Sequence, residues 1–190
     1  MRSWQILRVT NSMETKYTNN RGSEWKKWDL HLHSLHTSVN NNFGSSTQDE
    51  YVKKIKDENI DVIGLTNYFN FNTEDWDLKA ALEDNGIRVF LNLEVRLTYT
   101  NKEDDCCDLH IIFSNEIEKI DVDTFLTKLN CSVNGSQKTL SVLVDQEKGS
   151  ATVEFSHLIE VLDNPAMKSL KGKVLIGMLS RGKGNSRSSR

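Results

Sequence analysis

Asp61-Val62-Ile63-Gly64-Leu65-Thr66-Asn67-Tyr68 is a compact apolar run with little alternation. A strand with one wet face alternates apolar and polar residues. A run like this one suits a parallel strand buried on both faces. Helical patterns flank it. Upstream, Ser46 or Thr47 is a good N-cap, and Asp49 and Glu50 fall in the first turn, where the helix dipole favours acids. Tyr51, Val52, Ile55 and Ile60 complete an apolar stripe, so the spacing predicts a helix from about Gln48 to Glu58. Downstream, Thr73 reads as the cap of a second helix that runs to about Asp84, and Asn85-Gly86 as its left-handed stop. Ile87 to Leu97 reads as a third strand. The charged loop 101–105 follows, then a fourth strand, Asp108 to Ser114. Strand, helix, strand, helix, strand, strand with short links predicts an α/β fold with a parallel sheet. Right-handed crossovers would set the C-terminal strand ends on one rim.

The flanks are less regular. Residues 1–22 crowd Asn, Ser and Thr and read as a mobile leader, with a short strand at Trp4–Val9 as its one ordered element. Trp25 and Trp28 are expected to close the bottom of the core. Past the fourth strand, Asp121–Leu129 and Glu154–Leu162 read as helices, the second ending before Pro165, the only proline. Cys131–Leu140 reads as a loop around an Asn134-Gly135 turn. Ser141–Asp145 reads as helix or strand, and Lys173–Leu179 as a last strand. Residues 180–190 form a basic tail expected to be disordered, so the folded domain is expected over 23–179. From Asn164 to Arg190 there is no acid.

Composition removes several classes. A net charge of −3 lacks the overall basic excess of a nucleic-acid binder. No apolar run is long enough to cross a bilayer, and the N-terminus lacks the apolar core of a secretion signal. Cys106, Cys107 and Cys131 have neither disulfide-framework nor zinc-knuckle spacing, which suits free thiols in the cytoplasm.

The chemistry centres on Trp28-Asp29-Leu30-His31-Leu32-His33-Ser34. Read as a strand, it places Asp29, His31 and His33 on one face. Two imidazoles there can share a metal ion, and Asp29 can orient the first ring through its other nitrogen. The alternative is a half-buried strand with hydrogen-bonded histidines. Glu94 shares a face with Asn92 and Arg96, and His110 with Asp108 and Ile112. Together these residues offer three imidazoles and a carboxylate, enough for one divalent ion with an open position. Singly, Glu94 could pair with Arg96 or Arg88, and His110 could be a satisfied core histidine.

Asp29 to Ser34 resembles the first motif of the PHP (polymerase and histidinol phosphatase) superfamily. The resemblance implies a distorted, here partial, (β/α)7 barrel with parallel strands that binds two or three divalent metals and hydrolyses phosphoesters. It makes His31, His33, Glu94 and His110 the metal ligands, for Zn, Mn or Fe, with Asp29 behind them. Asn92-Leu93-Glu94 stands where the family has a Gly-x-Glu-like segment. The lead-in Arg21-Gly22-Ser23-Glu24-Trp25 through His31, with Leu65-Thr66-Asn67-Tyr68-Phe69, is similar to PHP domains at the front of TrlF-type SMC-like ATPases linked to phage defence. That likeness implies an ATPase region in a longer parent and a phosphoester substrate, nucleic acid or nucleotide.

The chain departs from the family pattern twice. Thr66-Asn67-Tyr68 stands where the family has Thr-Asp-His, and neutral Tyr68 is a poor ligand. His36 is the candidate to compensate. After His110 the only histidine is His157, inside a predicted helix, and no Asp-x-His follows. The resemblance is therefore close over residues 23–114 and weak beyond. Two functions follow: a metal-dependent phosphoesterase, or a PHP-shaped binding module without turnover. Gly177 to Lys183 fits Gly-x4-Gly-Lys, but Gly184 replaces the required Ser or Thr, and the match reads as chance.

Overall fold

The computed structural model describes residues 25–39, 41–100 and 106–180. The elements run β1 (Trp28–His33), α1 (Gln48–Asp57), β2 (Val62–Tyr68), α2 (Thr73–Asp84), β3 (Arg88–Thr100), β4 (Cys106–Phe113), α3 (Lys119–Lys128), β5 (Asn130–Val133), β6 (Ser136–Thr139), α4 (Asp145–Lys148), β7 (Ala151–Thr152), α5 (Phe155–Asp163) and β8 (Val174–Ser180). Short 3-10 segments cover Leu140–Val142 and Pro165–Leu170. The expected leader, its Trp4–Val9 strand and the residues of the tail beyond Ser180 lie outside the described residues.

The main sheet has the order β1-β2-β3-β4-β8. The first three strands are parallel, and β4 is antiparallel to both of its neighbours. The sheet is therefore mixed and open; among the described residues no sheet closes into the expected barrel. The reversal has a local cause. Only residues 101–105 separate β3 from β4, too short a link for the crossover that a parallel pair needs.

Local signals account for the helices. Thr47 and Glu50 form a reciprocal capping box on α1, with Thr47 N–H donating to Glu50 Oε2 (2.7 Å) and Glu50 N–H to Thr47 Oγ1 (3.3 Å). The cap of α2 is Asn72 rather than Thr73: Asn72 Oδ1 accepts from Asp75 N, and Asp75 Oδ2 from Asn72 N, both at 2.8 Å. Gly86 stops α2 at φ +82°, the left-handed conformation expected of it.

The Cys131–Leu140 segment is not a loop. Asn134 (φ 50°) and Gly135 (φ 83°) form a two-residue turn that pairs β5 with β6, and β7 adds to the other side of β5. Two successive positive φ values are what a tight hairpin turn requires, and Asn-Gly meets that need.

Leu91, Leu93 and Val95 of β3, Leu109, Ile111 and Phe113 of β4, Leu78 and Leu82 of α2, and Phe125 of α3 belong to one continuous core. Phe113 meets Phe125 edge-on at 5.7 Å. The tryptophans do not close it: Trp25 is fully exposed, and Trp28 is 57% exposed with its ring stacked 6.4 Å from Phe90. β3 and β4 are buried on both faces, and on the face away from this apolar set Asn92, Glu94, Asp108 and His110 are buried. A polar set buried in mid-sheet needs partners or a ligand.

Candidate metal centre

The site begins with an irregularity in β1. Trp28 and Asp29 pair with Val62 and Ile63, whereas Leu32 and His33 pair with Leu65 and Thr66. The β1 side of this interval holds one residue more than the β2 side, so the strand bulges at Leu30–His31. Gly64 makes the bulge possible. A Cβ built on Gly64 would lie 2.1 Å from the Leu30 carbonyl oxygen, far inside contact distance. Asp29 Oδ1 accepts the main-chain N–H of His31 at 3.1 Å. Asp29, expected to steady the His31 ring, thus steadies the His31 backbone. Strict two-residue alternation does not hold through this strand, because the bulge re-aims the side chains that follow it.

His31 and His33 then meet the glutamate of β3. His31 Nε2 lies 3.2 Å and His33 Nε2 3.7 Å from Glu94 Oε2. The donor atoms of these three residues all lie within 4.8 Å of one another. Donors held at about 2.1 Å around a tetrahedral zinc lie about 3.4 Å apart. Two imidazole nitrogens and a carboxylate with this spacing fit a divalent cation. The group is graded in burial: the Glu94 side chain is 2% exposed, His33 23% and His31 40%. The cluster thus has its anion at the base and an imidazole at the mouth.

His110 stands directly opposite Glu94 in the antiparallel pair, and its ring centroid is 4.5 Å from that of His31. Asn92 Oδ1 contacts His110 Nδ1 at 3.0 Å. The four residues expected to form the site are therefore brought together from three strands, β1, β3 and β4. The expected rim holds only in part. His33 and Thr66 lie at the C-terminal ends of β1 and β2, whereas Glu94 and His110 are mid-strand, because β3 runs on past the end of β2.

Electrostatics favour an ionised glutamate. Burial pushes the Glu94 pKa up, but the His31 hydrogen bond and the charges of His31, His110 and His33 outweigh it and leave the pKa below the ordinary value. Glu94 does not engage Arg96, whose Nη1 donates to the Gly149 carbonyl at 2.6 Å.

The remaining candidates have other work. Asn67 Nδ2 donates to Asp75 Oδ2 at 2.8 Å, and Asn67 Oδ1 accepts from Tyr68 N at 2.8 Å. The Tyr68 ring stacks on His33, with centroids 5.0 Å apart and planes at 20°. His36 donates its main-chain N–H to Ser34 Oγ (3.1 Å), and its imidazole is not part of the three-residue donor group. His157 sits in α5, as expected, 3.5 Å from Glu160.

Two residues escaped the reading of the sequence. Asp75 is fully buried and accepts from Ser34 Oγ, Asn67 Nδ2 and Asn72 N, which ties the loop after β1 to the end of β2. The Asn72-x-x-Asp75 spacing was its signal. Asn92 is the second; its signal was a polar residue two positions before Glu94 on an otherwise apolar strand.

No protein-family model matches the chain, and no curated protein matches it. Among solved structures it is similar to a protein from Bifidobacterium adolescentis assigned as a metal-dependent phosphoesterase, at 17% identity and a TM-score of 0.36. That match covers 53% of this chain and 32% of the other, so the chain spans about a third of that protein's length. No described helix is long and apolar enough to cross a membrane.

Proposed function

We propose that residues 23–179 form a PHP-like, metal-dependent phosphoesterase domain. The observation that carries this reading is the convergence of His31, His33 and Glu94, with His110 beside them, on one point of the sheet. These four residues would hold the ion, which the resemblance in sequence makes Zn, Mn or Fe. Such an ion neutralises a phosphate oxygen and lowers the pKa of a water. Glu94 supplies the compensating negative charge, and the exposed edge of His31 leaves the mouth of the site open to a substrate. The resemblance in sequence makes that substrate a phosphoester of nucleic acid or nucleotide type, and makes the chain the front piece of a larger ATPase linked to phage defence. The three cysteines are free, which suits the cytoplasm.

A second reading, a PHP-shaped binding module without turnover, has one observation in its favour. Asn67 is committed to Asp75, and Tyr68 covers His33 where a further metal ligand would be wanted.

The deciding experiment is metal content by elemental analysis of purified chain, beside His31→Ala/His33→Ala. About one equivalent or more, lost in the double variant, supports the centre. Hydrolysis of bis-p-nitrophenyl phosphate by the loaded chain then separates enzyme from binding module. Folded wild type that takes up no metal overturns both the centre and the activity.

A further inference from the structure

Asn92 lies between the bulge of β1 and the imidazole of His110, and its hydrogen bonds admit one assignment. Its Nδ2 is 2.8 Å from the Leu30 carbonyl oxygen, which can only accept. It is also 3.1 Å from Thr66 Oγ1, whose own hydrogen goes to the Gly64 carbonyl at 3.0 Å. The amide NH2 is thus directed at two acceptors. A flipped amide would set oxygen against the Leu30 oxygen. With the NH2 group so placed, Asn92 Oδ1 faces His110 Nδ1 at 3.0 Å as an acceptor. His110 Nδ1 must therefore carry the hydrogen, and in the neutral ring the lone pair is on Nε2.

We infer that Asn92 is a positioning residue that locks His110 in the Nδ1–H tautomer, which puts the lone pair of the neutral ring on Nε2, in the ring that lies beside His31. The lock reaches back into the fold. It depends on the inward carbonyl of Leu30, hence on the bulge, hence on the missing side chain of Gly64. A ligating imidazole whose other nitrogen is held by a fixed acceptor keeps both its tautomer and its orientation, and loss of such a partner costs about 10–100-fold in metal affinity. This consequence rests on the metal-centre reading; the tautomer does not.

The test is long-range 1H–15N correlation of the histidine rings in the metal-free 190-residue chain, at a pH where imidazoles are neutral. Wild-type His110 is expected as the Nδ1–H form. Asn92→Leu, which removes the acceptor, is expected to release it toward Nε2–H. Asn92→Asp keeps an acceptor at that point and is expected to retain Nδ1–H. Zn²⁺ titration against a chromophoric chelator is expected to show affinity about 10–100-fold weaker in Asn92→Leu, with His31, His33 and Glu94 unchanged. Wild-type His110 found as Nε2–H overturns the inference, whether or not any variant folds. An unchanged tautomer in folded Asn92→Leu also overturns it. A locked Nδ1–H tautomer in a chain that takes up no Zn²⁺ sustains the inference and defeats the metal-centre reading instead.

Discussion

His31 and Glu94 stand 63 residues apart in the chain and 3.2 Å apart in the fold, imidazole Nε2 to carboxylate Oε2. The pair joins the exposed mouth of the site to its buried base. It also gives the metal-free protein a titration signature. Glu94 has a folded pKa below its ordinary value, so its stabilising contribution is present above the unfolded value and is lost as pH falls through the lowered folded one. In that acidic window the neighbouring imidazoles carry the positive charges that hold the carboxylate ionised. Glu94→Gln removes this component. The variant is expected to be less stable than wild type near neutrality, by about 1–3 kcal/mol, and to lose less stability on acidification. Urea midpoints of both proteins across the acidic range check this; parallel curves would mean that Glu94 is not held by the histidines.

Gly64 is where the fold and the site depend on one atom that is absent. Its Cβ would lie 2.1 Å from the Leu30 oxygen and 2.9 Å from the Leu30 Cα, both main-chain atoms that cannot swing aside. Gly64→Ala must push β1 off β2 or abolish the bulge. The expected cost is about 3 kcal/mol or more, at the upper end of what overpacking does. Metal uptake should fall with it, because His31 follows the bulge. Chemical denaturation and metal content of the same sample measure both effects. Wild-type stability in the variant would mean that the two strands are not in this register.

Asp75 organises the loop behind the site. Its buried carboxylate takes three donors, Ser34 Oγ, Asn67 Nδ2 and Asn72 N, from three separate stretches of chain. Asp75→Asn keeps the shape but turns an NH2 group toward at least one of those donors. The cost is expected to be about 1–3 kcal/mol, the price of a buried polar group left unmatched. A thermal scan with wild type as reference measures it, and an unchanged transition would exclude Asp75 as a structural acceptor.

Much of this was legible in the sequence because its signals were local. Thr47 and Glu50 mark α1, Gly86 marks the stop of α2, and the unbroken apolar run 61–68 marks a strand covered on both sides. His31, His33, Glu94 and His110 were legible as candidates only in combination, since each has an ordinary use in a buried strand, and the fold sets the donor atoms of the first three within 4.8 Å of one another. What failed were readings that depend on pairing. The direction of β4 is set by the brevity of residues 101–105, not by the composition of β4. The bulge at Leu30 leaves no mark on β1 itself; its trace is Gly64, on the neighbouring strand. Asn134-Gly135 was seen as a turn, but the polar strands on either side, Asn130–Val133 and Ser136–Thr139, carry too little apolar alternation to announce a hairpin. Asn92 and Asp75 act through contacts with distant stretches of chain, which no periodicity reports.

Asn67 and Tyr68 separate under mutation, although in sequence they look like one degenerate motif. Restoring an acid at the first position places a carboxylate where Asn67 Nδ2 now donates to Asp75 Oδ2 at 2.8 Å. Two buried carboxylates at hydrogen-bond distance cannot both be ionised without a cation or a shared proton. Asn67→Asp is therefore expected to destabilise the metal-free chain, and Asn67→Asp/Asp75→Asn to recover only part of the loss, because the new amide that donates to residue 67 turns its NH2 toward Asn72 N–H, which now donates to the same Asp75 oxygen. Tyr68 is different. Its ring stacks on His33 with centroids 5.0 Å apart, so Tyr68→His replaces a stacking surface with an imidazole beside the existing donors. Tyr68→His alone is expected to fold and to bind more divalent metal per chain than wild type. Urea denaturation of the single and double variants at residue 67, with elemental analysis of Tyr68→His, distinguishes the two positions. Equal stability of Asn67→Asp and wild type would show that Asn67 does not hold Asp75, and unchanged metal content in Tyr68→His would show that residue 68 faces away from the centre.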